Sequence, residues 1–333
     1  MTETREEKTK ISAYLYDSDG SDRVIDFTTD DLESPNDKQI LWVNISQRDK
    51  ETIERVGTAL QLKDVPFKSI LNLSERPKLD KFYDFYHFFI FSVMMDEENI
   101  LHQVPIDFLI GKNFIITIHD GDEIDYFKEF REREKGETTL GELDTESFVA
   151  SLLDLHIVTY FRALENIERR VDKMDERILK RDLKDEEFLQ DMVRLRRDVS
   201  KLRRWFFPHR DVFYALSRPD FKQNVDSDSS ESLQLLNQHF ETAVVSIESS
   251  RTTVLSLFDL YTTKNSHRMN HTIKRLTFVT LLVGSLGAIA GVWGMNFEVE
   301  YFKSAETGFF LTIGTMGFLV VGLTIIAKLA RWI

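Results

Sequence analysis

The stretch LTFVTLLVGSLGAIAGVW, Leu276 to Trp293, decides the fold because its 18 residues include no charged side chain. A second uncharged run extends from Phe309 to Ala327. Each run is close to the roughly 20 residues that a helix needs to cross the hydrocarbon core of a bilayer. We therefore predict two membrane-spanning helices, at 276–296 and 309–329, joined by a loop at 297–308.

The charges beside these runs predict the orientation of the spans. Basic residues flank both of them: Lys264, Arg268, Lys274 and Arg275 before the first, Lys328 and Arg331 after the second. Lys and Arg near the ends of a span stay on the cytoplasmic side. The N-terminal sequence MTETREEKTK is too polar for a signal peptide. The sequence thus predicts a multi-pass protein of the plasma (inner) membrane with both termini in the cytoplasm.

The composition excludes several classes of function. The chain has no cysteine, which rules out disulfides, thiolate nucleophiles and Cys-ligated zinc. Its net charge of -13 argues against nucleic acid as a partner, because the phosphates would be repelled. No Ser/His/Asp set, glycine-rich phosphate loop or paired-acid motif stands out, so we expect neither enzymatic activity nor a cofactor. The loop between the spans is acidic, with Glu298, Glu300 and Glu306 against Lys303, and an acidic mouth attracts cations.

The first part of the chain, 1–144, reads as an α/β cytoplasmic domain. Segments rich in β-branched and aromatic residues predict strands at ISAYLY, LWVNIS and FYHFFIFSVMM, and VPIDFLIGKNFIITIHD predicts two more. DKETIERVGTAL and KDVPFKSILN have helical spacing. The aromatic cluster from Phe82 to Phe91 has no interleaved basic residues, so we interpret it as core rather than as a base-stacking surface.

Long helices follow. We predict a cytoplasmic helical region at 145–225, interrupted at Pro208 and by a polar turn around Pro219. A stalk helix at 226–275 then continues into the first span, since no proline occurs after Pro219. Unbroken from about Ser230 to Trp293, it would be on the order of 95 Å long. A helix of this length needs neighbours, which favours bundling with other protomers.

A stripe of small and polar residues follows one face of this long helix. Steps of three and four residues back from the end of the span connect Gly294, Gly291, Gly287, Gly284, Thr280, Thr277, Ile273, Asn270, Ser266, Thr263 and Asp259. Gly287 and Gly291 form a Gly-x-x-x-Gly pair, which is typical of close helix packing. The functional interpretation is a pore lined by several copies of this face, and the two interpretations are compatible in a symmetric ring. Asp259 would place a carboxylate ring at the cytoplasmic mouth, and Ile273 and Leu276 an apolar constriction.

His267 and His271 lie four residues apart, a spacing that can bind a metal on a helix surface. The simpler interpretation is a polar, partly basic collar before the span, and we favour it.

Several of these residues resemble a known family. Gly294, Met295 and Asn296, preceded by Trp293 and followed by Phe297, end the first of two C-terminal spans, as in the CorA family of divalent-cation (magnesium) transport proteins. The stretch KLRRWFFPHRDVFYAL is similar to a basic, proline-containing stretch of that family through Pro208, Arg210 and Asp211. LFDLYTTKNSHRMNHTIKRLT resembles the family's approach to the inner helix through Asp259, Tyr261, Asn270 and Leu276.

The resemblance implies an α+β membrane protein that assembles as a homopentameric funnel, with the first spans around the pore. Gly294, Met295 and Asn296 would form the selectivity filter, where Asn296 holds a hydrated ion. The pore-lining set would comprise Asp259, Asn270, Ile273, Leu276, Thr277, Thr280, Gly284, Gly287 and Gly291. The implied function is transport of Mg²⁺, with Co²⁺ or Ni²⁺ as further substrates, driven by the membrane potential.

Two departures from the family keep alternatives open. The loop EVEYFKSAETG has no Met-Pro-Glu sequence, and the stalk carboxylate of the family's inter-subunit metal sensor falls on Leu235. Asp226, Asp228 and Glu231 lie nearby. One alternative is a ZntB-like, proton-coupled Zn²⁺ transporter in which His267 or His271 takes part. Another is a non-transporting structural or regulatory membrane oligomer.

Overall fold

The computed structural model describes residues 11–17, 22–25, 35–36, 38–74, 76–121, 124–134, 145–180, 185–218, 227–295 and 305–330. The chain divides into two compact units, Met1–Leu255 and Ser256–Ile333. The predicted polar turn around Pro219 begins at Ser217 and Arg218, and 219–226 lie outside the described residues.

The first unit contains a seven-stranded sheet. Its strands are β1 (Ile11–Asp17), β2 (Arg23–Ile25), β3 (Gln39–Ile45), β4 (Lys78–Lys81), β5 (Tyr86–Met95), β6 (Leu101–Ile110) and β7 (Phe114–Ile118). Their order is β2-β1-β3-β7-β6-β5-β4, and β3 with β7 is the parallel pair among antiparallel neighbours. The five strands predicted from sequence are confirmed as β1, β3, β5, β6 and β7, whereas β2 and β4 were not predicted.

The helices are α1 (Lys50–Ala59), α2 (Phe67–Leu71), α3 (Asp125–Glu134), α4 (Thr145–Lys180), α5 (Asp185–Phe206), α6 (Arg210–Leu216), α7 (Ser227–Trp293) and α8 (Ala305–Leu329). The predicted break at Pro208 is confirmed by a 3₁₀ turn at Phe207–His209 between α5 and α6. The predicted helix at residues 63–72 is shorter than expected, because α2 spans five residues. Helix α3 was not predicted.

Alternation along β3 builds a core on each face of the sheet. Leu41, Val43 and Ile45 pack in one cluster with Ile53 of α1 and Ile70 of α2. The side chains between them, on the opposite face, are Trp42 and Asn44. A strand with apolar residues on both faces is covered by protein on both sides of the sheet.

Trp42 organises the second face of the sheet. Its ring lies 5.3 Å from Phe127 and 5.8 Å from Phe130, both on α3, and 6.0 Å from Phe148 of α4, all edge-on. Edge-to-face aromatic pairs contribute about 0.5–1.5 kcal/mol beyond their buried area. The indole N–H donates to Thr117 Oγ1 at 3.0 Å. This aromatic cluster attaches the long helix α4 to the sheet.

Arg48, just after β3, is the main buried charge of the first unit. Its guanidinium donates to the carbonyls of Ile70, Pro105 and Ile118 at 3.1, 2.9 and 3.1 Å. It also forms an ion pair with Asp107, whose other carboxylate oxygen lies 2.6 Å from His87 Nε2. Because a buried charge is stable only when it is paired and hydrogen-bonded, this network fixes how α2, β6 and β7 meet.

The aromatic cluster predicted as core at Phe82 to Phe91 is confirmed except at Tyr83, which is 86% exposed. Phe85, Phe88 and Phe89 are fully buried. Phe88 stacks on Phe108 of β6 with ring centroids 4.5 Å apart. The cluster therefore holds the β5–β6 pair together rather than forming a binding surface.

Helices α4 and α5 form an antiparallel hairpin. Arg170 pairs with Asp198 at 2.6 Å and Arg177 with Asp191 at 3.2 Å. The hairpin ends at the 3₁₀ turn, where His209 is fully buried. His209 Nε2 accepts from the Phe91 N–H at 2.9 Å, and its Nδ1 lies 3.0 Å from the Phe206 carbonyl. His209 therefore connects the end of the hairpin to β5.

The second unit consists of the C-terminal part of α7 and α8. Among the described residues, three helices have the length and composition to cross a membrane: α4, α7 and α8. In α4, 67% of the apolar window is buried inside the chain, whereas in α7 and α8 none of it is. Protein already covers the apolar face of α4, so this helix belongs to the core of the first unit. The two apolar runs predicted as spans are largely exposed along α7 and α8, with a half-buried face on each helix.

Helix α7 confirms the predicted continuous helix, and it begins at Ser227, slightly before the expected start near Ser230. It contains 67 residues without a break. The absence of proline after Pro219 explains this, because each residue of α7 can donate its backbone N–H to the helix.

Candidate functional site

The membrane part of α7 has one covered face. Phe278, Leu282, Leu286 and Ile289 are half-buried, at helical spacing. On α8, Thr312, Met316 and Leu323 are half-buried and Ala327 is buried, again along one face. Among the described residues of this unit, α8 is the other helix, so we infer from the half-burial that these two faces cover each other.

The residues predicted to line a pore lie on the opposite face of α7. At about 100° per residue, Thr280, Gly284, Gly287 and Gly291 lie roughly half a turn away from the face that α8 covers. All four are exposed, and Thr277 is half-buried. The remaining members of the predicted set are also exposed: Asp259, Asn270, Ile273 and Leu276. A single chain therefore leaves the whole stripe available to water or to other copies.

The glycines of this stripe have no packing role within one chain. A Cβ atom added at Gly284, Gly287 or Gly291 would meet nothing within 4 Å. Glycine in a helix interior is less stable than alanine by roughly 0.8–1.0 kcal/mol, so three of them on one face need a reason outside the chain. Close approach of other helices or of a hydrated ion supplies such a reason.

Helix α7 ends at the predicted filter. The Gly294 N–H donates to the Ala290 carbonyl at 2.9 Å, and the Met295 N–H to the Val292 carbonyl at 3.2 Å. A Cβ at position 294 would lie 3.3 Å from the Ala290 carbonyl oxygen, so glycine permits the tight last turn. Met295 is exposed.

The rest of the predicted outer site is described only in part. Asn296, Glu298 and Glu300 lie outside the described residues, and their assignment stays a prediction. Glu306 is exposed in the first turn of α8, where a carboxylate is favourable beside the positive end of the helix dipole.

His267 and His271 are exposed on α7. By the helical angle they lie on the side of Phe278 and Ile289, away from the pore stripe. Within the residues that the structure describes, no group of three or more His, Cys, Asp or Glu is arranged to hold a metal ion. The two histidines therefore offer two ligands, and these do not face the pore stripe.

The stalk position that the resemblance assigns to a metal sensor carries an apolar side chain. Leu235 is 48% exposed and lines a surface cavity of about 290 Å³ together with Leu236, Leu155 and Phe130. One turn further, His239 Nδ1 lies 2.6 Å from Asp154 Oδ1 of α4. Sequence reasoning missed this pair, because the two residues lie 85 positions apart and neither belongs to a motif.

Comparison with known proteins agrees with this arrangement over almost the whole chain. The family described as CorA-like Mg²⁺ transporter protein matches residues 37–329. The cobalt/magnesium transport protein CorA of Thermotoga maritima is 26% identical over 92% of this chain and 89% of its own length. The putative metal ion transporter YfjQ of Bacillus subtilis is 30% identical over 75% of this chain and 76% of its own length.

Solved structures share the fold. The complete CorA magnesium transporter from Methanocaldococcus jannaschii covers 96% of this chain with a TM-score of 0.77 at 20% identity, and 98% of that structure is covered. The ZntB cytoplasmic domain from Vibrio parahaemolyticus covers 77% of this chain, and 99% of that domain is covered, with a TM-score of 0.60 at 14% identity. The chain thus belongs to the CorA-like Mg²⁺ transporter protein family, and it is a membrane-inserted transport protein for divalent cations rather than an enzyme.

Proposed function

We propose that five copies of this chain form a channel for Mg²⁺, with Co²⁺ and Ni²⁺ as further substrates, driven by the membrane potential. The observation that carries the proposal is the face of α7 with exposed Thr280, Gly284, Gly287 and Gly291, opposite the face that α8 covers. In a ring, α8 lies on the lipid side and this face surrounds the axis. The names of the CorA relatives support the choice of ion.

The chemistry of the pore suits an ion that keeps its water. Mg²⁺ dehydrates reluctantly and requires near-ideal octahedral geometry. Threonine hydroxyls, Asn270 amides and backbone carbonyls can hydrogen-bond to the hydration shell without replacing it. At the outer end, Asn296 and the backbone at Gly294 would hold the hydrated ion in the same way, with Met295 beside them.

Acidic side chains would attract the cation at both mouths of the pore, and apolar side chains would close the pore. Glu298, Glu300 and Glu306 would raise the cation concentration at the outer mouth, and Asp259 would do so inside. Ile273 and Leu276 are 52% and 65% exposed in one chain, so a ring of them would form an apolar constriction that closes by dewetting.

The driving force is the inside-negative potential. It supplies roughly 2.3 kcal/mol per charge per 100 mV, and about twice that for a divalent ion. With both termini in the cytoplasm and the loop at 297–308 outside, as the basic flanks favour, the acidic mouth faces the side from which the ion enters.

A ZntB-like, proton-coupled Zn²⁺ transporter is the second candidate, and one observation favours it. Leu235 occupies the position that the resemblance gives to a regulatory carboxylate, and Leu235 cannot bind a metal ion. The orientation of His267 and His271 away from the pore stripe favours the channel instead.

Flux into liposomes tests the two candidates directly. The purified chain is reconstituted, and uptake of Mg²⁺ and of Zn²⁺ is measured with and without a pH gradient. Mg²⁺ uptake that follows the membrane potential and is indifferent to the pH gradient supports the channel. Zn²⁺ uptake that requires the pH gradient supports the second candidate, and no uptake of any divalent cation supports a non-transporting oligomer.

Two further measurements test the assembly and the filter. Native mass spectrometry in detergent should give five copies, and a dimer would contradict the pore. Asn296→Ala should reduce Mg²⁺ flux, whereas Thr324→Ala, on an exposed face of α8, serves as the matched control and should not. Unchanged flux in Asn296→Ala would contradict the filter assignment.

A further inference from the structure

The outer face of α5 carries an uncompensated basic stripe, which we define as Arg194, Arg197, Lys201 and Arg204. Steps of three and four residues place these side chains on one face of the helix. Arg194, Arg197 and Arg204 are exposed and Lys201 is half-buried, with its ammonium 5.9 Å from the Trp205 ring. In a chain with a net charge of -13, a continuous basic face needs an explanation.

The outer face of α4 carries both signs of charge, because exposed Arg169 and Lys173 lie beside three acidic side chains. We define its acidic stripe as Glu165, Glu168 and Asp172, again three and four residues apart. All three side chains are exposed. The hairpin therefore carries an acidic stripe on α4 and a basic stripe on α5.

The two stripes cannot pair within one chain. The buried side of α4 includes Ile167, Val171 and Met174, and the buried side of α5 includes Leu195, Val199 and Leu202. At 100° per residue the acidic stripe lies on the flank of α4 opposite Arg170 and Arg177, which pair with α5, so it does not face the basic stripe of its own chain.

Some of the other charges of the hairpin are paired, whereas the stripe residues are not in an ion pair with any described residue. Arg170 binds Asp198, Arg177 binds Asp191, and Arg203 binds Glu248 of α7. In the part of the chain that the structure describes, no ion pair involves any of the seven stripe residues. Seven charges on two faces are thus available to a partner.

The stripes also lie at the same height along the hairpin. The Arg170–Asp198 and Arg177–Asp191 pairs set one antiparallel register, in which 170 is level with 198 and 177 with 191. In that register, 165–172 is level with 196–203. The acidic stripe is therefore level with the centre of the basic stripe, on the other side of the hairpin.

We propose that the acidic stripe of one copy binds the basic stripe of the next copy around the ring. The inference rests on the proposed assembly of five copies. A head-to-tail contact between two different faces generates a closed ring when the rotation closes, and rotation about an axis along the hairpin keeps both stripes at one height. Each exposed ion pair contributes little by itself, so the contact sets the register and spacing of neighbouring hairpins rather than the main affinity.

Zero-length crosslinking in mixed rings tests the contact. Heavy-isotope and unlabelled full-length chains are co-expressed, purified in detergent and treated with a carbodiimide, which joins a lysine amine to a carboxylate that it touches. We expect Lys201 to be joined to Glu168 or Asp172 in peptides that combine a heavy and a light partner. The Lys180–Glu176 ion pair of α4 provides the internal control, because its crosslinks should join residues of the same chain.

Lys201→Arg keeps the charge but removes the reactive amine, so it should eliminate the crosslink without altering the assembly. High salt should reduce the crosslink yield severalfold, because exposed charges are screened. Crosslinks from Lys201 that join only residues of the same chain, or none between chains in a confirmed five-copy ring, would overturn the inference.

Charge reversal provides a second, independent measurement. Arg197→Glu with Arg204→Glu, or Glu165→Arg with Glu168→Arg, should each raise dissociation of the ring by roughly tenfold, measured by native mass spectrometry. The four substitutions together restore opposite charges and should return dissociation toward the unmodified level. Lys50→Glu on α1, also exposed, is the matched control and should have no effect.

The outcomes separate this inference from the proposed function. A five-copy mass and Mg²⁺ flux with no rescue by the combined reversal would contradict the stripe contact and leave the channel standing. A dimeric mass for the unmodified chain would contradict the ring itself. Circular dichroism of each variant confirms that the hairpin helices are intact before dissociation is compared.

Discussion

Helices α4 and α7 are both long and apolar, yet they use their apolar surfaces in opposite ways. The apolar window of α4 is mostly buried among the sheet, α3 and α5, whereas that of α7 is not buried at all within the chain. The first unit covers the apolar side chains of α4 with its own protein, and the second leaves those of α7 exposed, where lipid can cover them. The contrast shows that hydropathy identifies helices that could cross a membrane. Whether such a helix becomes a span depends on whether the rest of the chain covers its apolar surface.

The largest expected effect comes from breaking the buried ion pair of the first unit. Arg48→Met should lower the free energy of unfolding by about 3–5 kcal/mol, because it leaves the buried Asp107 carboxylate without its ion pair. Thermal unfolding of the full chain in detergent, followed by circular dichroism, measures the loss. Lys50→Met, two residues further on an exposed site, is the control, and a loss below about 1 kcal/mol for Arg48→Met would contradict the role of the network.

Acid should lower the free energy of unfolding of the first unit by an amount comparable to the loss expected for Arg48→Met. Burial lowers the pKa of His209 from 6.5 to about 4, although its hydrogen bonds to backbone groups oppose the shift. Burial also lowers the pKa of His156 well below 6.5, and the nearby His209 adds to it. Below pH 6.5 the unfolded chain binds protons that the folded chain does not. Stability should therefore be full above pH 6.5 and fall between pH 6.5 and about 4, by about 3 kcal/mol for His209 alone.

Unfolding midpoints across this pH range measure the effect, and His209→Gln should flatten part of the slope. His239→Gln provides the comparison, since His239 is exposed and bonded to Asp154 at the surface. Equal slopes for the unmodified chain and for His209→Gln would show that His209 does not contribute.

In the second unit, a substitution on the exposed face of α7 should affect transport instead of folding. Gly287→Leu places a large side chain where the single chain has open space, so the unfolding midpoint should not fall. In the ring that side chain would enter the pore or the helix contact, and flux should fall by at least about tenfold, equivalent to roughly 1.4 kcal/mol. Val292→Leu, exposed on α7 and about 140° around the helix from Gly287, should retain flux. Retained flux in Gly287→Leu would remove this face from the pore.

The smallest expected effect concerns surface ion pairs. Glu241→Gln removes the negative charge and one of the two oxygens to which Arg210 donates between α6 and α7, at 3.1 and 3.0 Å. Because both groups are exposed, the loss should be about 0.5 kcal/mol and should shrink in high salt. Thermal unfolding at low and high salt measures it, and a loss above about 2 kcal/mol would mean that the pair is not solvent-screened.

Much of the fold could be predicted from local patterns. The spans follow from uncharged runs, the long helix from the lack of proline after Pro219, and the break after α5 from Pro208. Five strands follow from their β-branched and aromatic content. Each of these features depends on interactions within a short segment, which sequence periodicity reports directly.

The remainder depends on contacts between distant segments. The place of β3 beside β7 depends on a parallel pairing across some seventy residues, and Arg48 shows no local sign of its five partners. The three-residue strand β2 and the short helix α3 are too brief or too polar to give a periodic signal. For the candidate site, the sequence identified the stripe on α7, while its position opposite α8 required the packing of the two helices.

The covered apolar face of α4 has a consequence for how the protein is made. By composition α4 qualifies as a span, so it would compete for the membrane-insertion machinery if it left the ribosome unpaired. Roughly 100 residues separate its end from the first true span, which gives about 5–20 s of synthesis at bacterial or eukaryotic elongation rates. The first unit has that interval in which to fold around α4. In a variant whose first unit folds slowly, α4 should therefore be inserted into the membrane, and the chain should acquire the wrong topology before it aggregates.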